Sequence, residues 1–77
     1  MHLNYNFIQD GESSKATCNG TLKAVLSDAL YVYININEEG ILKKFKCKQK
    51  KNIYTLLHDL KGKEVKIENG ILTVLEN

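Results

Sequence analysis

The sequence has no tryptophan, no proline and no arginine, and only two cysteines and one methionine in 77 residues. Without arginine it lacks the planar fork that reads guanine edges bidentately, so sequence-specific reading of duplex DNA is disfavoured. All eleven cations are lysine, a compact point charge suited to phosphate. Two thiols are too few for a zinc site without well-spaced histidines. Cys18 and Cys47 fall on predicted core faces of strands separated by a third, which argues against a disulfide. No apolar run approaches the roughly 20 residues that span a bilayer. The amino terminus, MHLNYNFIQDGE, lacks the charged and greasy regions of a signal peptide. The expected compartment is the cytoplasm.

Catalytic patterns are missing as well. Asp59, Glu64 and Glu68 are scattered, and no carboxylate pair is spaced to act as acid and base. No Ser–His–Asp or Cys–His arrangement has a geometric reason behind it, and there is no phosphate-cradling GxxxxGK[ST] loop. His2 is terminal and His58 lies off the apolar helix stripe beside Tyr54, so both read as surface residues. Neither an enzyme nor a metal or other cofactor is expected.

What is present fits one small domain, residues 1–77, with room for a single core. Apolar residues at 43% and charged ones at 26% suit a globular protein and not a disordered tail. The net charge of +2 is unevenly spread. Residues 1–40 hold two lysines against five acids (−3), and residues 41–77 hold nine lysines against four acids (+5). Ile41–Lys51 alone has six lysines and no acid.

The chain is organised around Leu30–Lys48, where two alternating runs meet at Asn37-Glu38-Glu39-Gly40 and predict a β-hairpin. Val32, Ile34 and Ile36 share one face with Ile41, Phe45 and Cys47. Tyr31, Tyr33 and Asn35 share the other with Leu42, Lys44, Lys46 and Lys48. Pairing Ile36 with Ile41 sets Val32 opposite Phe45, Tyr33 beside Lys44 and Tyr31 beside Lys46. The outer face then carries two phenol rings within a row of ammonium groups.

Around this hairpin, residues 2–9 alternate as a first strand, and Asp10-Gly11-Glu12-Ser13 has turn chemistry. Ser14–Leu26 reads as a long strand with Ala16, Cys18, Leu22, Ala24 and Leu26 inward, and with Lys15, Thr17, Asn19, Thr21 and Lys23 outward. Gly20 interrupts the inner face and marks a bulge or bend. Ser27-Asp28-Ala29 reads as a short turn, and pairing Leu26 with Leu30 sets Ala24 opposite Val32 and Leu22 opposite Ile34. Ile53, Leu56, Leu57 and Leu60 are spaced as one helical stripe, so a helix is predicted over about 53–60, with Asn52 as N-cap and Gly62 beyond its end. Glu64–Glu68 and Ile71–Leu75 form a last hairpin about Asn69-Gly70, matching Ile67 with Leu72 and Val65 with Val74. The expected class is β-rich α+β: an antiparallel meander, one short helix and a terminal hairpin, in the order β-β-β-β-α-β-β.

Without its first strand, this order resembles the OB-fold, a small curled barrel with a helix between its third and fourth strands. The stretch Leu60-Lys61-Gly62-Lys63-Glu64-Val65-Lys66-Ile67-Glu68-Asn69-Gly70 is similar to the helix–Lys-Gly–strand–turn segment of single-stranded DNA-binding proteins. Here Asn69 is additional and the family's tryptophans are absent. The resemblance implies an OB-like small barrel with an extra N-terminal strand. It also implies single-strand binding across the outer face of Leu30–Asn37 and Ile41–Lys48. Tyr31 and Tyr33 would stack bases, Lys44, Lys46, Lys48, Lys50 and Lys51 would meet phosphates, and Asn35 would reach base edges. A meander-plus-helix sandwich is the alternative fold.

Duller readings stand beside these. Lysines on an exposed strand also form a solvated face that guards against edge pairing, and tyrosines favour strands in any case. The alternative function is a small protein-binding inhibitor or assembly module, of the accessory kind carried by phages and mobile elements. It would present its basic face to an acidic protein, or use its first strand and Ile71 and Leu75, which face away from Leu72 and Val74. Self-association through these strands belongs to the same alternative.

Overall fold

Strict alternation of apolar and polar side chains builds most of this molecule, which we describe from a computed structural model covering residues 2–11 and 17–75. The elements are β1 (His2–Asn4), β2 (Ile8–Gln9), β3 (Cys18–Ser27), β4 (Tyr31–Glu38), β5 (Ile41–Lys48), α1 (Ile53–His58), β6 (Glu64–Glu68) and β7 (Ile71–Val74). They form one antiparallel seven-stranded sheet in the order β1-β7-β6-β3-β4-β5-β2. Of the predicted loop and long strand, Glu12, Ser13, Ser14, Lys15 and Ala16 lie outside the described residues.

The first predicted strand is two strands. Asn6 adopts a left-handed backbone (φ 56), and the segment divides there: β1 pairs with β7 and β2 pairs with β5, at opposite ends of the sheet. Seven flat strands would hold their outer members roughly 29 Å apart at the usual inter-strand spacing. Asn4 and Ile8 can be separated by at most about 14 Å of chain. The sheet must therefore curl, and Phe7, wholly buried, sits where its two ends approach, its N–H donating to the Gly70 carbonyl at 3.0 Å. The expected barrel is corrected in one respect: β1 and β2 belong to the same segment and share no ladder, so the sheet is curled but not closed.

Strand β3 serves two neighbours. Its first part, Cys18–Thr21, pairs with β6, and Thr21–Ser27 pairs with β4. The bulge expected near Gly20 lies instead between Leu22 and Ala24. It reverses which side chains face inward, so Val25 is buried while Leu26 is 53% exposed. The expected Leu26–Leu30 pairing is accordingly replaced by Leu26 with Tyr33 and Val25 with Ile34. Gly20 answers a different need, since a Cβ there would overlap the Asn37 carbonyl oxygen and come within 2.8 Å of its carbon.

The central hairpin closes in two residues and not four. Glu39 and Gly40 take φ 52 and 86, the paired positive values of a type I′ turn. Glu38 then pairs with Ile41, Ile36 with Lys43, Ile34 with Phe45 and Val32 with Cys47. Ile41 is left at the tip, 62% exposed, and not on the core face. In the last hairpin Ile67 pairs with Leu72 and Val65 with Val74, about Asn69 and Gly70 at φ 53 and 83.

Helix α1 packs against β3, burying Ile53 and Leu57, and Leu60 is buried in the tighter turns that carry the chain to Lys63. Asn52 occupies the N-cap position with φ 72, but its side chain makes no capping bond. Past the helix, Gly62 N–H donates to the Leu22 carbonyl at 2.8 Å and Leu22 N–H to the Lys63 carbonyl at 3.0 Å, tying this turn to the bulged strand. The core joins Phe7, Leu22, Ile34, Ile36, Phe45, Leu57, Ile67 and Leu72.

The crowding at Gly20 yields a test. Gly20→Ala forces β3 away from β4, an overpacking cost of about 1–3 kcal/mol, measured by urea unfolding. An unchanged midpoint would show that the strands separate freely there.

Candidate nucleic-acid interface

Because Val32, Ile34 and Ile36 are wholly buried, the alternating residues Tyr31, Tyr33 and Asn35 must face outward, half-exposed. Directly opposite them on β5 stand Lys48, Lys46 and Lys44. The register is shifted by two residues from the expected one, yet the expected contacts form diagonally. The Lys44 ammonium lies 4.8 Å from the centre of the Tyr33 ring, and that of Lys46 lies 4.4 Å from the centre of the Tyr31 ring. The two rings are 6.2 Å apart and inclined at 50°. Ring and cation thus alternate across one face, each ammonium held by the negative face of a π-system.

Two carboxylates fix this arrangement, Asp28 and Asp10, both of which the sequence marks only as turn residues. Asp28 accepts from the Leu30 N–H (2.8 Å), the Tyr31 N–H (2.7 Å) and the Tyr33 hydroxyl (2.7 Å). It organises the β3–β4 turn and pins one ring. The Tyr33 hydrogen bond, with the two N–H groups behind it, holds the Asp28 carboxyl below its ordinary value. Asp28 in turn pushes the Tyr33 phenol up to about 12. Asp10, just past β2, places its oxygens 3.6 Å from the Lys44 and 3.7 Å from the Lys46 ammonium. Its own N–H donates to the Lys44 carbonyl at 2.9 Å, so backbone pairing holds the carboxylate there.

A cleft of about 300 Å³ adjoins Tyr31, between the N-terminal segment (Tyr5, Asn6, Ile8) and Lys46, Lys48 and Lys50. Gln49, just past β5, ties that strand's end to the β3–β4 turn, donating from its N–H to the Leu30 carbonyl (2.9 Å) and from its side chain to the Asp28 carbonyl (3.0 Å). Cys47 also lines the cleft. Burial pushes its thiol up to about 11, and burial likewise raises that of Cys18, with the nearby Glu38 carboxylate adding to it. Both are free, buried and neutral at physiological pH.

The chain matches no family model, no curated protein and no solved structure. The site therefore rests on its geometry. Tyr31, Tyr33, Asn35, Lys44, Lys46 and Lys48 share one face, and Lys50 stands at the cleft beside it. Lys51 is exposed in the turn before α1. Ile71 and Leu75 lie elsewhere, beside a second cleft of about 250 Å³ that includes His2, Lys66, Glu68 and Thr73. Among the described residues no group of three or more His, Cys, Asp or Glu could hold a metal ion, and no helix is long and apolar enough to cross a membrane.

The coupling of Asp28 and Tyr33 has a pH signature. Asp28 binds its proton less readily when folded, so it stabilises the fold above its unfolded value near 3.8 and loses that contribution as pH falls through its lower folded value. Tyr33 stabilises the fold below 10.0 and loses its contribution as pH rises through about 12. Asp28→Asn should shrink the acid limb of the stability profile and bring the latest-titrating tyrosine back towards 10.0. Tyrosinate absorbance reads the second effect, and an unmoved titration would dissociate the ring from Asp28.

Proposed function

We propose that the chain is a non-catalytic binding module for single-stranded nucleic acid, contacted across the outer face of β4 and β5. The observation that supports this is the alternation of two phenol rings with two ammonium groups on one exposed face. Bases offer π-faces to rings and the backbone offers phosphates to cations, whatever the sequence. Tyr31 and Tyr33 take the stacking role, Lys44, Lys46, Lys48, Lys50 and Lys51 neutralise phosphates, and Asn35 hydrogen-bonds a base edge. Phosphates arriving on Lys44 and Lys46 displace Asp10 and draw the ammonium groups off the rings, which leaves the ring faces to the bases. The OB-like reading of the fold belongs to this proposal, since that family lays single strands across the corresponding pair of strands.

A second reading has its own observation. Leu75 is 39% exposed and borders the cleft that contains Ile71, an apolar feature suited to a protein partner or a second copy of the chain. That module would be sensitive at Ile71 and Leu75 and indifferent to Tyr31.

Fluorescence-anisotropy titration of mixed-sequence single strands at several salt concentrations separates the two. If about four phosphates are neutralised, log K falls against log salt with a slope near −3. Tyr31→Ala should cost about 1–3 kcal/mol of binding, the worth of one stacked base, and Tyr33→Phe should retain affinity. Asp10→Asn should bind more tightly than the parent, because phosphate no longer competes with a carboxylate for Lys44 and Lys46. Absence of binding at low salt would overturn the proposal.

A further inference from the structure

The cleft beside Tyr31 has features that a continuous strand lying across an open face does not require. It continues the Tyr–Lys face at the β5 end, where Lys48 pairs with Tyr31, and the segment Tyr5–Ile8 walls it on the far side. Its volume of about 300 Å³ lies at the bottom of the roughly 300–1,000 Å³ range of small-molecule sites, which admits one nucleotide and not a stacked run. Among the described residues no carboxylate lines it. Lys46 shares its charge with Asp10, whereas Lys48 and Lys50 make no salt bridge among the described residues. The Cys47 thiol, neutral below about 11, adds no negative charge to the wall. Asn6, fixed by its left-handed backbone, brings an amide to the lining that can both donate to and accept from a base edge.

We propose that this cleft holds the terminal nucleotide of a single strand, its base against Tyr31 and Asn6 and its phosphomonoester on Lys48 and Lys50. Two ammonium groups with no carboxylate partner among the described residues match the roughly −1.5 to −2 charge of a monoester at neutral pH. An internal phosphodiester carries only one charge, about half of what the two ammonium groups can neutralise. The inference rests on the single-strand reading for the rest of the ligand and adds that the module recognises an end.

The experiment compares short oligonucleotides of one sequence carrying a 5′-phosphate, a 3′-phosphate or hydroxyl groups at both ends, with a circular single strand as control. One phosphorylated end should bind about tenfold tighter than the hydroxyl form, the gain from one added charge-assisted hydrogen bond, and which end it is gives the polarity. The gain should vanish in the Lys48→Ala, Lys50→Ala double variant, whose replaced side chains are both exposed. The double variant also weakens the circular strand, because it removes two phosphate contacts, so the gain is read there as the ratio of phosphorylated to hydroxyl ends. It should vanish too in Ile8→Trp, which fills the cleft while circular-strand binding persists. Equal affinity for phosphorylated and hydroxyl ends would overturn the end-recognition proposal and leave the single-strand reading standing. A parallel NMR titration with nucleoside 5′- and 3′-monophosphates stands apart from oligonucleotide binding. Shifts confined to Asn6, Tyr31, Cys47 and Lys48 would support the cleft even if no oligonucleotide bound, and silence in both assays would overturn both proposals.

Discussion

The hydrogen bonds made by residues 2–10 to both ends of the sheet are the constraint on which the rest of the structure depends. β1 lies on β7, Phe7 N–H bonds to Gly70, β2 lies on β5, and Asp10 N–H bonds to Lys44. A stretch this short cannot reach both ends of a flat sheet, so its pairing and the curl of the sheet require each other. The curl brings Phe7 into the core between strands that are far apart in the sheet order. The same segment then builds one wall of the cleft beside Tyr31 and carries the carboxylate that holds Lys44 and Lys46. Fold and candidate site share one cause.

The curl is accommodated chiefly in β3. Gly20 leaves out the side chain that would overlap the Asn37 carbonyl of β4, and the bulge between Leu22 and Ala24 bends the strand just past Thr21, where pairing passes from β6 to β4. A bulge reverses the inward and outward faces of everything beyond it. Leu26 becomes an exposed leucine for this reason, without any change in its neighbours along the chain. Asp28 and Gln49 then brace the turn that follows, so Tyr31 and Tyr33 stand on a fixed base and not on a loose loop.

Features encoded locally were legible in the sequence. Period-two alternation located β4, β5, β6 and β7, Asn69-Gly70 fixed its own turn and register, and the spacing of Ile53, Leu57 and Leu60 located the helical segment. The outward grouping of Tyr31, Tyr33 and Asn35 with Lys44, Lys46 and Lys48 followed from the same periodicity. A register error of two residues preserves which face each side chain occupies, so that grouping survived the misread turn at Glu39-Gly40. Features that depend on distant partners were not legible. The position of the bulge, the division of the first strand at Asn6 and the placement of Asp10 arise from the demands of a curled sheet, and no local pattern announces them. Asp28 was visible only as a turn residue, because its bond to Tyr33 needs the three-dimensional turn to exist first.

The segment that bends at Asn6 also has a protective side. β7 reads Ile-Leu-Thr-Val, with no charge and no proline, and β1 occupies its free edge. At the other end β2 covers part of β5, whose apolar tip, Ile41 and Leu42, already meets solvent. An uncovered strand of the composition of β7 invites pairing with other chains, whereas the four lysines of β5 oppose it. One short stretch covers both, so its detachment would bare the adhesive edge of β7 and the apolar tip of β5 in a single event. Resistance to aggregation in this protein therefore depends less on the depth of its core than on how firmly nine residues at one end stay in place.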